Sequence, residues 1–231
     1  MLNQSSPQLN LEINSQTRKT VEDSFERIAG ALLSDYQLLV NDSVYRLIDI
    51  EFYYFAQDQF NDSYAHKHEA QLRSGKWYFH GSGIDLTIGN GINYGGILIR
   101  AMAEVSPHAP AAKYFILKEI HGPLKVKTEI SSKLHGAFEA FPNHFHFNNI
   151  SDDKIKAGMK DAEFIIKTKR IGLNAENDSQ PESFYNSKYR FVIFPSLKLK
   201  DKTTIARDMQ EQFPGMSIFE INKALGSKFL K

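Results

Sequence analysis

The stretch LIDIEFYYFAQDQFNDSYAH, residues 47–66, sets one acid inside an aromatic run and leads from there to a histidine. A carboxylate without a partner is costly to bury. Glu51, among Phe52, Tyr53, Tyr54 and Phe55, therefore calls for either a partner or a task. Successive side chains of an extended strand face opposite ways. On that rule Ile48, Ile50, Phe52 and Tyr54 form an apolar face, and Asp49, Glu51 and Tyr53 form the other. The same rule pairs Tyr78 with His80 and Asp85 with Thr87, and it sets Arg100 with Leu98 and Met102 against Ile97, Ile99 and Ala101.

Several strands thus carry an ionisable group opposite a solidly apolar face. Two readings follow. The polar faces are solvated sides of an ordinary sheet, or they converge on a pocket of acid, imidazole, guanidinium and phenol. Mixed surroundings of the second kind shift acid pKa values and suit general acid–base chemistry. Periodicity leaves both open. Glu51 could pair with a local cation such as Arg46 or Lys76, and Arg100 could form a buried ion pair, with Glu51 as one partner. His66, beside Lys67 and His68 in a polar stretch, could equally be a solvated loop histidine. PNHFHF puts His144 and His146 on one strand face, with His121 and His135 upstream. Two alternating histidines without a fixed third ligand do not make a metal site, and none is expected.

The elements that must hold these residues are legible in outline. TVEDSFERIAGALLSDY spaces Val21, Phe25, Ile28, Ala29 and Leu32 as a helix does, with Thr20 as the expected cap and an end near Leu33. Two strand-like runs flank Asn41-Asp42-Ser43, a hairpin signal. Residues 57–75 read as a long polar loop. KWYFHGSGIDLTIGNG and YGGILIRAMAEV read as strands divided by glycine turns. Residues 110–160 give no clear pattern. AEFIIKTKRIGL and KYRFVIFP read as two further strands around a polar loop. Beyond Pro195, TTIARDMQEQF and SIFEINKALG read as helices, the second opened by a Ser217–Glu220 capping box. This pair has the outline of a helix-turn-helix, but a helical hairpin covering a sheet is the commoner use.

The bulk numbers set bounds. The chain has 231 residues, and its 17 Phe and 10 Tyr are enough for an aromatic-rich core, which excludes wholesale disorder. There is no cysteine, so thiolate catalysis and disulfides are excluded. A net charge of +1 gives no global attraction to nucleic acid or to anionic membranes. A phosphate-facing side would have to come from local lysines, as in KEIHGPLKVKTEISSK, KTKR and SLKLKDK. No stretch approaches the roughly 20 apolar residues that span a bilayer. The opening residues lack the apolar core of a signal peptide. A soluble, cytoplasmic, monomeric protein without membrane contact is the expectation.

RLIDIEFYYF, SYAH, GKWYFH and GGILIRAMAEV, in that order, resemble the motifs of the alkyladenine (methylpurine, or 3-methyladenine) DNA glycosylases. SFERIAGALLSDYQLLVNDS is similar to that family's entry helix and first hairpin, and RIGL with KYRFVIF to its late strands. Together these motifs cover most of residues 20–195. The resemblance implies a single α+β domain with a curved antiparallel sheet surrounded by helices. A tail at 1–18 would precede a glycosylase-like domain at 19–200, and a helical extension at 201–231 would pack on it. It also implies DNA repair by base excision: a hydrolase that binds double-stranded DNA, flips out an alkylated or deaminated purine and cleaves its bond to the sugar. Such an enzyme needs no metal or cofactor. By the same resemblance, Glu51 would activate the water that attacks C1′. Arg100 would hold that water and the nearby phosphate. Tyr53, His66, His80, Tyr78 and Asp85 would bind the base, His80 standing where the family usually has a stacking tyrosine.

The C-terminal helices, 203–227, lie outside the resemblance, and two features depart from the family. GSGID, around Ser82, has no aromatic side chain to fill the gap left by a flipped nucleotide. The asparagine that rejects guanine has no clear counterpart, with Asp85 and Thr87 nearby. A nucleobase-binding module that cleaves nothing, and an interaction protein with solvated sheet faces, are the alternatives.

Overall fold

A 14-residue strand, β2 (Ser43–Ala56), is the axis of the fold. The computed structural model describes residues 9–106, 116–150, 164–178 and 183–230. Before β2 come the helix α1 (Arg18–Ser34) and β1 (Tyr36–Val40). After it come β3 (Phe60–Asn61), β4 (Trp77–His80), β5 (Gly83–Thr87), β6 (Tyr94–Val105) and β7 (Ile116–His121). Then follow α2 (Pro123–Lys133), β8 (Phe145–Asn149), β9 (Ile166–Thr168), β10 (Arg190–Val192), α3 (Lys202–Gln212) and α4 (Ile218–Ala224).

The strands form one antiparallel sheet in the order β4-β5-β6-β2-β1-β8, with β10 and β3 also on β2, β7 on β6 and β9 on β10. It curls strongly into a half-barrel, so the fold is α+β. Its two ends come together where Trp77 of β4 stacks on Phe145 of β8 at 4.3 Å between ring centroids. The Trp77 indole N–H donates to the Phe145 carbonyl across this seam at 3.3 Å.

Two hydrophobic clusters lie on the sheet's two faces. α1 supplies Val21, Phe25, Ile28, Ala29, Leu32 and Leu33 to the larger one, where they meet Ile50, Phe52, Tyr54, Ile97, Ile99 and Met102. Phe25 stacks on Phe52 at 4.6 Å. Thr17, not Thr20, caps this helix. The Thr17 hydroxyl accepts from the Thr20 backbone, and the Thr20 hydroxyl accepts in return from the Thr17 backbone. On the other face, Ile205, Ala206 and Met209 of α3 and Ile221 of α4 pack on Ile48, Ala101, Ala103, Ile166 and Val192. The Ser217–Glu220 capping box opens α4.

Ile48 is therefore not on the face of Ile50 and Phe52, as strict alternation required, and Ala101 and Met102 have also changed sides. The cause is an irregularity in the β2–β6 ladder. Leu47 faces Met102, Asp49 faces Ala101 and Ile50 faces Ile99, which leaves Ile48 and Arg100 as extra residues on opposite strands. Bulges of this sort bend a strand and re-aim side chains. Here the bulge gives the C-terminal helices their own apolar patch, while Arg100 keeps the face of Leu98 and Glu51.

Residues 57–75 also differ from the expected polar loop. Phe60 is buried, Asp62 and Gln71 are buried, and a 3-10 turn spans Glu69–Leu72. The unpatterned region holds β7, α2 and β8. KIKAGM, at 154–159, lies outside the described residues. The two late strands are short: β9 and β10 have three residues each.

The sheet's polar seam is a buried ion pair. Arg190 of β10 grips both carboxylate oxygens of Asp49 at 2.9 and 2.8 Å. Asp49→Ala alone strands the guanidinium and is expected to lower stability by about 3–5 kcal/mol, whereas replacing both residues with apolar ones of similar volume costs much less. Urea unfolding of the single and double variants measures the difference.

Candidate functional site

Glu51 leaves the middle of β2 on the face opposite α1 and is fully buried. Its Oε2 accepts from the Tyr53 hydroxyl at 2.7 Å and from Arg100 Nη1 at 3.1 Å. Its Oε1 accepts from the backbone N–H of Ile171 at 2.7 Å. The carboxylate is thus held by three donors from β2, β6 and the segment after β9. Of the alternatives open in the sequence, its cation is Arg100; Arg46 instead donates to the carbonyl of Leu33. Burial raises the Glu51 pKa above its ordinary value of 4.5, against the opposing pulls of Arg100, the Ile171 N–H and the Tyr53 hydroxyl. Tyr53 is pushed well above its ordinary range by burial and by the Glu51 charge.

A cavity of about 240 Å³ opens beside this cluster, lined by Tyr53, Tyr64, His66, His80, Asp85 and Arg100 among others. Glu51 itself lies behind that wall, screened by Tyr53, Arg100 and Ile171. Across the sheet the register aligns Glu51 with Leu98 of β6, Leu98 with Asp85 of β5, and Asp85 with Tyr78 of β4. One cross-strand row therefore runs from the buried acid to the far wall. There His80 Nε2 lies 3.0 Å from Asp85 Oδ1, and Gln71 Nε2 donates to Asp85 Oδ2 at 2.9 Å. The Ser82 N–H donates to His80 Nδ1 at 3.3 Å, so the neutral ring carries its proton on Nε2, toward Asp85. His66 sets its ring edge-on to His80 at 4.8 Å. Burial and the neighbouring His80 lower the His66 pKa from 6.5. Donor atoms of His66, His80 and Asp85 lie within 4.8 Å of one another. His144 and His146 belong to no such trio among the described residues.

Arg100, Tyr53, His66, His80 and Asp85 therefore line one cavity, and Glu51 lies behind its wall. Tyr78 stands one layer back. Its ring stacks between His68 at 4.7 Å and His80 at 5.1 Å and supports the wall rather than lining it. Gly96 makes the wall possible, because a Cβ there would come within 2.6 Å of Asp85 Oδ2 and 2.8 Å of Gln71 Nε2.

Sequence reasoning missed Gln71, Tyr64, Ile171 and the residue beneath them all, Arg170. Arg170 binds both oxygens of Asp62, at 2.6 and 3.1 Å, and donates to the carbonyls of Phe52 and Phe184. Its guanidinium lies 4.6 Å from the Tyr53 ring centre and 5.3 Å from those of Tyr64 and Tyr189. Burial alone would lower its pKa; Asp62 outweighs that and leaves it raised. The RIGL motif was the available signal, since it carries both this cation and the Ile171 amide.

The lysines expected on a phosphate-facing side are partly spent on acids. Lys118 pairs with Glu129 at 2.5 Å and Lys133 with Glu104 at 3.2 Å. Lys127 donates to the His80 carbonyl at 2.7 Å. No described helix is long and apolar enough to cross a membrane.

No family model matches the chain. It is 28% identical over 214 residues to an uncharacterized protein, L759, of Acanthamoeba polyphaga mimivirus, an alignment that covers 80% of this chain and 92% of the viral protein.

The raised Glu51 pKa has a consequence for stability. The native state holds this proton more tightly than the unfolded chain does, so stability contributed at acid pH is lost as pH rises from 4.5 through the raised value. The expected result is a negative slope of unfolding free energy against pH in that window, smaller in Glu51→Gln, read by urea titrations at stepped pH.

Proposed function

We propose that this protein is a DNA N-glycosylase of the alkyladenine type, which excises alkylated or deaminated purines from double-stranded DNA. The observation that carries the reading is the buried Glu51–Arg100 pair directly behind a cavity walled by Tyr53, Tyr64, His66 and His80. At about 240 Å³ the cavity is smaller than the ~300–1,000 Å³ typical of drug-sized ligands and suits a single base. The order of the motifs and the curled α+β sheet are consistent with the fold of that family.

In this reading a flipped purine enters between the rings, where an electron-poor alkylated base gains about 0.5–2 kcal/mol from aromatic faces. Glu51 then takes the proton of a water as that water attacks C1′. The C1′–N bond breaks and its electron pair leaves with the base: a cationic alkylated purine departs neutral, and a neutral one such as hypoxanthine takes a proton from water. Arg100 steadies both Glu51 and the developing charge at the sugar–phosphate. Oε1, with one donor, keeps an acceptor position for the water. Because Tyr53, Arg100 and Ile171 screen the acid from the cavity, one of these groups must shift for a water to reach it. The high Glu51 pKa makes it a stronger base than an exposed carboxylate once it is ionised.

A second reading has its own support. Glu51 is fully buried and already accepts three hydrogen bonds, as a structural ion pair would. A pocket that binds a nucleobase and cleaves nothing would need no more.

Duplexes containing hypoxanthine, ethenoadenine or 3-methyladenine separate the two. The enzyme reading expects base release that falls about 10²–10⁴-fold in Glu51→Gln with lesion binding retained. It also expects an acid limb in the wild-type rate above pH 4.5, set by Glu51 ionisation. Lesion binding with no release by the wild type supports the non-cleaving module, and neither activity rejects both. Tyr64→Ala is expected to weaken lesion binding by about 1–3 kcal/mol, the worth of one stacked base, measured by fluorescence anisotropy.

A further inference from the structure

The cavity's far wall, which stacks the base in the glycosylase reading, also carries a set of metal-ligating atoms. His80 Nε2 and Asp85 Oδ1 stand 3.0 Å apart on the two strands of the β4–β5 hairpin, both side chains almost fully buried. A nitrogen of His66 completes a trio whose atoms all lie within 4.8 Å of one another. Ligands on a tetrahedral zinc ion, bonded at ~2.0–2.2 Å, sit about 3.3 Å apart. The His80–Asp85 spacing is already close to that value, and His66, on an exposed loop at the rim, has the freedom to close the remainder.

From this geometry we infer that His66, His80 and Asp85 form a binding site for a divalent transition metal, zinc above all, with water in the open position. Two imidazoles and one carboxylate suit zinc, cobalt and nickel rather than magnesium or calcium, which favour all-oxygen sites. The outer shell is in place: Gln71 holds Asp85 Oδ2, which leaves Oδ1 as the single ligating oxygen. Metal binding at His80 Nε2 displaces the ring proton, which moves through solvent to Nδ1. The long contact from the Ser82 N–H is then given up, and that amide, in an exposed turn flanked by Gly81 and Gly83, turns to water. Bound metal and a bound base would occupy the same cavity, so each excludes the other. Only this antagonism rests on the glycosylase reading; metal binding stands without it.

The test is a cobalt(II) titration of the tag-free full chain, followed by visible ligand-field absorption, with zinc as competitor. One equivalent should give bands of a four- or five-coordinate site that zinc abolishes. His66→Ala and Asp85→Asn should each weaken cobalt binding by at least tenfold while far-UV circular dichroism and thermal midpoint stay near those of the wild type. Gln71→Ala should weaken it about 10–100-fold, as loss of an outer-shell partner does. The double variant His144→Ala/His146→Ala should bind as the wild type does. Absence of the bands, or binding that survives both His66→Ala and Asp85→Asn, overturns the site. So does binding that disappears only when His144 and His146 are replaced. None of these readouts uses DNA, so a failed metal site and a failed glycosylase reading remain distinguishable.

Discussion

The structure is built around the burial of one carboxylate. An isolated ion at Glu51 would be prohibitive, and the fold answers with a guanidinium, a phenol and a backbone amide from three separate parts of the chain. Each donor is fixed by something further out. Arg100 also donates to the Ile171 carbonyl at 3.4 Å. Arg170, over the Tyr53 ring, steadies the phenol, and its own grip on Asp62 anchors the Ile171 amide that follows it in sequence. The cavity is a consequence of this arrangement, since its floor is the same three groups.

Much of this was legible in the residue pattern. The α1 stripe, the hairpin at Asn41-Asp42, the strands from Trp77 to Val105 and the Ser217 capping box all rest on local rules that the fold obeys. The pairing of Glu51 with Arg100 was one of three options the pattern left open, beside Arg46 and Lys76. Alternation failed at Ile48 and Met102, because a period of two assumes an unbroken ladder and nothing local marks the bulge. α2 escaped notice because only Val126, Glu129 and Ile130 of its residues are buried, too few for a clear stripe. Asp62, Gln71 and Ile171 were invisible for other reasons. Asp62 and Ile171 act through contacts across more than 100 residues of chain. In Ile171 the working group is the backbone, and Gln71 lies in a stretch that reads as a polar loop.

The two faces of the sheet divide the labour. On one, α1 and its aromatic neighbours fill a deep core. On the other, the polar row from Arg190 through Glu51 and Asp85 sits beside the apolar patch under α3 and α4. The C-terminal helices thus cover what the site leaves uncovered, and their Ile205, Met209 and Ile221 are spent on that packing.

Trp77 is the chain's single tryptophan, and it lies where the first and last strands of the curl touch. Any loosening of the half-barrel must part its indole from Phe145 and admit water to that ring. The molecule consequently contains an intrinsic fluorophore at its closure point. Its emission would register strain or relaxation of the sheet without a dye, on the same hairpin that carries His80 and Asp85.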